Sequence, residues 1–422
     1  MKILLIGATG FVGSAIYKGL VKENHEVVAG VRSPEDFVNS FDGLSIKIDF
    51  VGLKADRELV SFLKGFDVVV NAVGIIAETK TQTFEQMHTL APITLFEACR
   101  EAGIKRVIHI SALGSETGTT AYHTSKNRAD EYLRESGLHY AILHPSIVYG
   151  DDGKSTALFQ ALATLPLTPI VGDGQQALQP IRVEDLVATV KKAVNSDEKR
   201  IELNVVGAEP ITYEGLLQRF RKWLGYKETQ SVSVPTLGTN VIGKVLNEPT
   251  VSHDNIMMLN EGNSADVTPL SKFLGYKPVG FKENFENTQA HNSQKLYASL
   301  YLIRPLLRFI IGFVWIWSGV VSAFLYPQPL ALELLHEVGV PVGVDVPLLY
   351  LASLLDITIG VLTLVGYRIE SLLRFQMVVI VVYTIILSFL APYHWLHPFG
   401  PVLKNLPLVV SIYILSQLER FR

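Results

Sequence analysis

The first two thirds of the chain alternate short apolar runs with amphipathic stretches. The runs KILLIG, EVVAGV, LSIKID, DVVVNAVG, RVIHIS and YAILHP are rich in β-branched residues and predict strands. Between them, residues 14–22, 57–64 and 86–102 carry apolar positions at helical spacing. This alternation implies repeated βαβ units and a parallel, doubly wound sheet of the α/β class. After Pro145 the pattern loosens into an expected substrate-side lobe with a returning strand, IELNVVG, and residues 1–292 are predicted to form one domain.

From residue 300 to 422 the pattern is different. Residues 306–326, 346–366, 372–391 and 402–418 are four apolar segments, and a membrane-spanning helix needs roughly 17–25 such residues. An all-α domain of four transmembrane helices is expected. Arg304 and Arg308 precede the first segment, Arg368 and Arg374 lie between the second and third, and Arg420 and Arg422 close the chain, whereas residues 327–345 hold acids but no Lys or Arg. By the positive-inside rule the N-terminal domain and the C-terminus are cytoplasmic. The N-terminal apolar run is too short for a cleaved signal and passes straight into glycines.

Composition narrows the chemistry. Net charge is −3 with no basic stripe, so nucleic acid is not an expected partner. The single cysteine, Cys99, excludes a disulfide framework, a thiolate zinc site and an all-cysteine iron–sulfur cluster. No metal is expected, and His394 and His397, with Pro398 directly after them, are taken as loop histidines rather than ligands.

Gly7-Ala8-Thr9-Gly10-Phe11-Val12-Gly13 follows a predicted strand and opens a predicted helix. In that context a turn needs Gly7, close approach of a pyrophosphate needs bare backbone at Gly10, and helix-to-sheet packing needs Gly13. The helix N-terminus then offers amides and partial positive charge to phosphate. Dinucleotide binding follows. The second strand ends Val31-Arg32 without an acid to hold a ribose diol, which favours NADP(H) over the alternative, NAD(H).

The spacing Gly-x-x-Gly-x-x-Gly resembles the extended and atypical short-chain dehydrogenase/reductases, which have a Rossmann-type fold and include the nucleotide-binding accessory subunit of respiratory complex I. Over residues 1–290 further segments are similar. Asp49-Phe50 resembles the acidic turn at the adenine, and Asn71-Ala72-Val73-Gly74 the fourth-strand motif beside the cofactor. Tyr122-His123-Thr124-Ser125-Lys126 matches Tyr-x-x-x-Lys, and His144-Pro145 opens a segment resembling the loop near the nicotinamide. The resemblance implies that Tyr122 is the acid/base and that Lys126 is its electrostatic partner and a cofactor contact. Ser111 is the candidate carbonyl polariser, or a support of its loop, because in extended members the hydroxyl lies nearer the position of Leu113. His144 stands where the related pattern has arginine.

The tail, with Arg308-x-x-x-Gly312-x-x-Trp315-x-x-x-Gly319, Leu354-Leu355-Asp356-Ile357 and His397-Pro398-Phe399-Gly400, resembles the DoxX-like membrane family. Mid-span Asp356 is a costly carboxylate. It serves either as a proton or quinone-headgroup contact or as an interhelical hydrogen bond. The combined expectation is a membrane-anchored NAD(P)(H)-dependent oxidoreductase or epimerase in contact with the bilayer, acting on a small amphiphilic substrate of lipid, isoprenoid or quinone type. The alternative is a non-catalytic NAD(P)-binding assembly or sensor module of a membrane redox complex.

Overall fold

The computed structural model describes residues 1–41, 43–234 and 253–420. The chain divides into two compact units, the first ending at Ala298 and the second beginning at Ser299.

In the first unit, β1 (Lys2–Ile6), α1 (Phe11–Val21), β2 (Glu26–Val31), α2 (Pro34–Phe41), β3 (Ser45–Lys47), α3 (Arg57–Leu63) and β4 (Val68–Asn71) make the first half of the sheet. A π-helical turn, Glu85–Leu90, runs into α4 (Ala91–Ala102), so the predicted single helix at 86–102 begins with a widened turn. There follow β5 (Arg106–Ile110), α5 (Ala121–Glu135), β6 (Tyr140–Pro145), β7 (Val148–Tyr149), α6 (Lys154–Thr164), β8 (Thr168–Val171), β9 (Ala177–Leu178), β10 (Ile181–Arg182), α7 (Val183–Val194) and β11 (Arg200–Val205). Seven strands pair in the order β3-β2-β1-β4-β5-β6-β11, all parallel. The strands are near-continuous apolar runs because both faces are covered. Ile3 and Leu5 pack with α1 and α7 residues such as Ile16 and Leu186, while Leu4 and Ile6 face Leu95, Ala129 and Leu133 of α4 and α5.

The chain order reverses between β1 and β4, which places a crevice at their carboxyl ends. The smaller lobe is built from β12 (Ile211–Thr212), α8 (Tyr213–Trp223), β13 (Ser231–Val234) and the helix Phe281–Glu286. Its core is aromatic: Tyr149, Phe220, Phe281 and Phe285 meet edge to face or tilted, with ring centroids 4.8–5.6 Å apart.

Among the described residues three helical segments are long and apolar enough to cross a membrane: Asn292–Leu325, which belongs to the second unit from Ser299 on, Asp345–Val365 and Ile369–Leu390. The fourth expected span is a helix, Asn405–Arg420, of 16 residues. Glycine lets the first two spans touch, since a Cβ on Gly360 would lie 2.6 Å from the Gly312 carbonyl oxygen. Polar side chains are paired inside the bundle. Trp315 Nε1 donates to Gln376 Oε1 at 3.0 Å, and Gln376 Nε2 donates to Thr363 Oγ1 at 2.7 Å. Trp317 is exposed.

Candidate active site

The glycine bend has the geometry that the motif requires. Gly7 has φ +87°, and a Cβ there would lie 2.8 Å from the Ala72 carbonyl carbon. A Cβ on Gly13 would lie 2.0 Å from the Gly7 carbonyl oxygen. Gly10 caps α1 with no side chain on the end amides, and the first turn carries no acid. Thr9 and Gly10 are exposed, whereas Phe11 and Val12 are partly buried. Ala72 N donates to Ile6 O at 2.9 Å, so the loops after β1 and β4 lie side by side. A cradle of bare backbone at an uncapped helix start fits a dinucleotide diphosphate.

Tyr122 and Lys126 lie in the first half of α5, where the Thr120 side chain accepts from His123 N and caps the helix. Lys126 is buried, and its Nζ donates to Ile110 O at 3.0 Å and Val73 O at 3.4 Å, at the carboxyl ends of β5 and β4. Burial lowers its pKa to about 8, opposed by the charge of Asp130. Tyr122 is half-buried, its ring set edge-on to Phe84 and His88. Burial pushes its pKa up to about 12. A phenol so placed keeps its proton until a neighbouring charge draws the pKa down.

A buried imidazole fixes the position of this tyrosine. Ile75 N donates to His88 Nε2 at 3.0 Å, so Nδ1 carries the proton and donates to Ser125 Oγ at 3.2 Å. Ser125 Oγ in turn donates to the Tyr122 carbonyl at 2.8 Å. Burial drives the His88 pKa far down, with the Lys126 charge adding to it, so the ring is neutral.

Ser111 lies at the end of β5, and its hydroxyl donates to Asp130 Oδ2 at 2.6 Å. A serine has one proton to give, and this one is given to Asp130. Asn71 is likewise occupied. Its Oδ1 accepts from Val73 N at 3.1 Å and its Nδ2 donates to His109 Nδ1 at 3.1 Å, so it shapes the loop after β4 from beneath.

Two stretches of the chain match known families. Residues 7–167 match a family described as NAD(P)H-binding, and residues 312–413 match the DoxX-like family. The chain thus carries an NAD(P)H-binding region followed by a DoxX-like one, the first with the fold of the solved epimerases described below. The chain is 21% identical over 322 residues to sterol demethylase protein B of Methylococcus capsulatus, covering 69% of this chain and 98% of that protein. It is 26% identical over 188 residues to the ceramide reductase of Caulobacter vibrioides, covering 44% of this chain and 58% of that protein. Among solved structures, the UDP-glucuronic acid 4-epimerase of Bacillus cereus, in complex with UDP-glucuronic acid and NAD, superposes with a TM-score of 0.54 at 19% identity over 71% of this chain and 100% of that one.

Within the dehydrogenase-like domain the remaining expected cofactor residues line the same edge of the sheet. Arg32 is exposed directly after β2. Asp49 is exposed and accepts from Val51 N at 3.0 Å, next to buried Phe50. Gly74 is exposed, and a Cβ there would lie 3.5 Å from Lys126 Nζ. Pro145 accepts from Leu113 N at 2.9 Å through its carbonyl, tying the loops after β5 and β6 together.

Several site residues were not foreseen: His88, Asp130, Ser115 and Glu202. Only Asp130 had a local signal, since it lies four residues after Lys126 on the same helix face. His144 is buried with both ring nitrogens near acceptors, Nδ1 at 3.3 Å from Ala112 O and Nε2 near Glu202. Burial opposes its charge, but the hydrogen bond from Nε2 to Glu202 Oε1 at 2.9 Å and the field of Asp130 raise its pKa above the ordinary value. The His144 contact in turn holds Glu202 at about 2.

In the DoxX-like domain, Asp356 Oδ2 accepts from Ser318 Oγ at 3.2 Å, an interhelical hydrogen bond. His394 lies 3.3 Å from Glu337, and among the described residues no cluster of three or more metal-type ligands is present.

Proposed function

We propose that this chain is a membrane-anchored NAD(P)(H)-dependent oxidoreductase or epimerase of the short-chain type, acting on an amphiphilic substrate of lipid, isoprenoid or quinone type. The observation that carries the proposal is the placement of Lys126 Nζ on the carbonyls that end β4 and β5, with Tyr122 one turn before it, beside the glycine bend. Gly7, Thr9, Gly10, Phe11, Val12 and Gly13 hold the diphosphate, Asp49 and Phe50 flank the adenine, and Ala72, Val73, Gly74 and Pro145 border the nicotinamide end. Exposed Arg32 meets a 2′-phosphate, which favours NADP(H). The bound dinucleotide supplies or accepts the hydride. Tyr122 exchanges the proton with the substrate oxygen, and the Lys126 ammonium lowers the phenol's pKa from its buried value toward neutrality and holds the ribose. Ser111 supports the reacting carbonyl through the loop it ties to Asp130.

The DoxX-like domain anchors this site at the bilayer with four spans, so an amphiphile is met without extraction from the membrane. The names of the sterol and ceramide relatives are consistent with such a substrate. One observation favours the second reading, a non-catalytic NAD(P)-binding assembly or sensor module: the Ser111 proton is already given to Asp130.

Titration of the chain in nanodiscs with NADPH and NADH, followed by turnover with a panel of lipid carbonyls, alcohols and quinones, separates the two. The enzyme reading expects tighter binding of NADPH, a preference lost in Arg32→Ala. It also expects turnover that falls at least 100-fold in Tyr122→Phe with binding retained. Binding without turnover in the wild type selects the sensor, and no binding of either coenzyme overturns both.

A further inference from the structure

Asp130 is a fully buried carboxylate to which the mechanism above gives no role of its own. Its Oδ2 accepts from Ser111 Oγ at 2.6 Å and from Ser115 Oγ at 3.1 Å. His109 Nε2 of β5 lies 3.5 Å from Oδ1, and His144 Nδ1 of β6 lies 3.9 Å from Oδ2. The His109 ring is neutral: burial drives its pKa far down, and Nδ1 accepts from Asn71. Burial raises the Asp130 pKa, opposed first by His144, but Glu202 of β11 is the direct partner of that imidazole, and Arg134 of α5 is bound by Glu202 and Glu116. Lys126 stands one helical turn from Asp130 on α5, and both side chains are buried. The hydrogen bonds of Lys126 go to neutral carbonyls, and Asp130 is the carboxylate whose charge acts on it.

A buried ammonium without a counter-ion gives up its proton rather than stay charged. We infer that Asp130 is the buried counter-ion of Lys126, a positioning residue that keeps the ammonium charged at the carboxyl ends of β4 and β5 while its two serine donors fix the loop after β5. This arrangement also explains why Ser111 is turned inward. The hydroxyl stabilises the carboxylate that the lysine needs. The inference rests on the proposed role of Lys126 in holding the cofactor.

The test is the pH dependence of NADPH binding by the full chain in nanodiscs, followed by nicotinamide fluorescence from pH 6.5 to 9.5. In the wild type, affinity falls about fivefold as Lys126 loses its proton, since a charged hydrogen bond becomes a neutral one. In Asp130→Asn the midpoint of that fall moves down by about one pH unit or more. In Lys126→Arg the profile is flat, and adding Asp130→Asn leaves it flat. If Asp130→Asn does not fold, Ser111→Ala/Ser115→Ala, which strips both donors from the carboxylate, shows a smaller downward shift. A flat wild-type profile, an unshifted midpoint in the folded variants, or a shift that persists with arginine at 126 overturns the inference alone. A wild type that binds no coenzyme removes the proposed function as well.

Discussion

At Gly13 a single methyl group would decide whether the bend closes. An added Cβ would meet backbone, the Gly7 carbonyl oxygen, at 2.0 Å, and backbone cannot swing aside as a flexible side chain can. Gly13→Ala is therefore expected to cost about 1–3 kcal/mol of stability in the N-terminal unit, as overpacking does elsewhere, and to weaken NADPH binding at least tenfold. Thermal melts and coenzyme titration of the variant check this, and wild-type affinity would show that the bend holds no diphosphate. The glycine, tyrosine and lysine positions were legible in the sequence because each requirement is local: a bare backbone at fixed intervals, or two side chains one helical turn apart. The state of Ser111 was not legible. Its partner lies 19 residues away on another element, and nothing at the end of β5 announces that the hydroxyl is already taken.

Helix α5 is the element on which the candidate site depends, because one of its faces carries Tyr122, Lys126 and Asp130 against the ends of β4, β5 and β6. Two neutral imidazoles, His88 and His109, are enclosed beside that face. Unfolded, each takes up a proton below about pH 6.5; folded, neither does until much lower pH. The unfolded state then binds more protons, so stability is lost as pH falls below that value, by up to about 1.4 kcal/mol per pH unit for each ring. His144, with its raised value, works in the opposite sense, adding stability below pH 6.5 that is lost as pH rises through its folded pKa. Burial lowers the His123 pKa as well, so three rings stand against one, and the N-terminal unit is expected to lose on the order of 1–2 kcal/mol between pH 6.5 and 5.5. His109→Gln should flatten that slope, which circular dichroism melts at each pH can measure. A variant slope equal to the wild type would place the proton uptake elsewhere.

At the scale of the whole molecule the chain is a dehydrogenase-like unit followed by an apolar helical one, and the charges flanking the spans predict how the tail lies in a bilayer. Val342 and Tyr367 are exposed at successive turns between helices, while Cys99 is fully buried. In sealed right-side-out vesicles an impermeant thiol reagent is expected to label Val342→Cys and to reach Tyr367→Cys only after permeabilisation; the reverse pattern would invert the topology. By itself the sequence determined the strand and helix periodicities, the apolar tail, the glycine bend and the Tyr-x-x-x-Lys pair, because all of these are written in spacings of a few residues. Only the tertiary structure decided that β1 lies beside β4, and that Asp130, His109, Ser115, His144 and Glu202 meet behind the lysine. Those contacts join residues up to 65 positions apart, as Ile3 and Val68 are. They exist because parallel strand pairing sets the register between distant segments, and no local pattern encodes it.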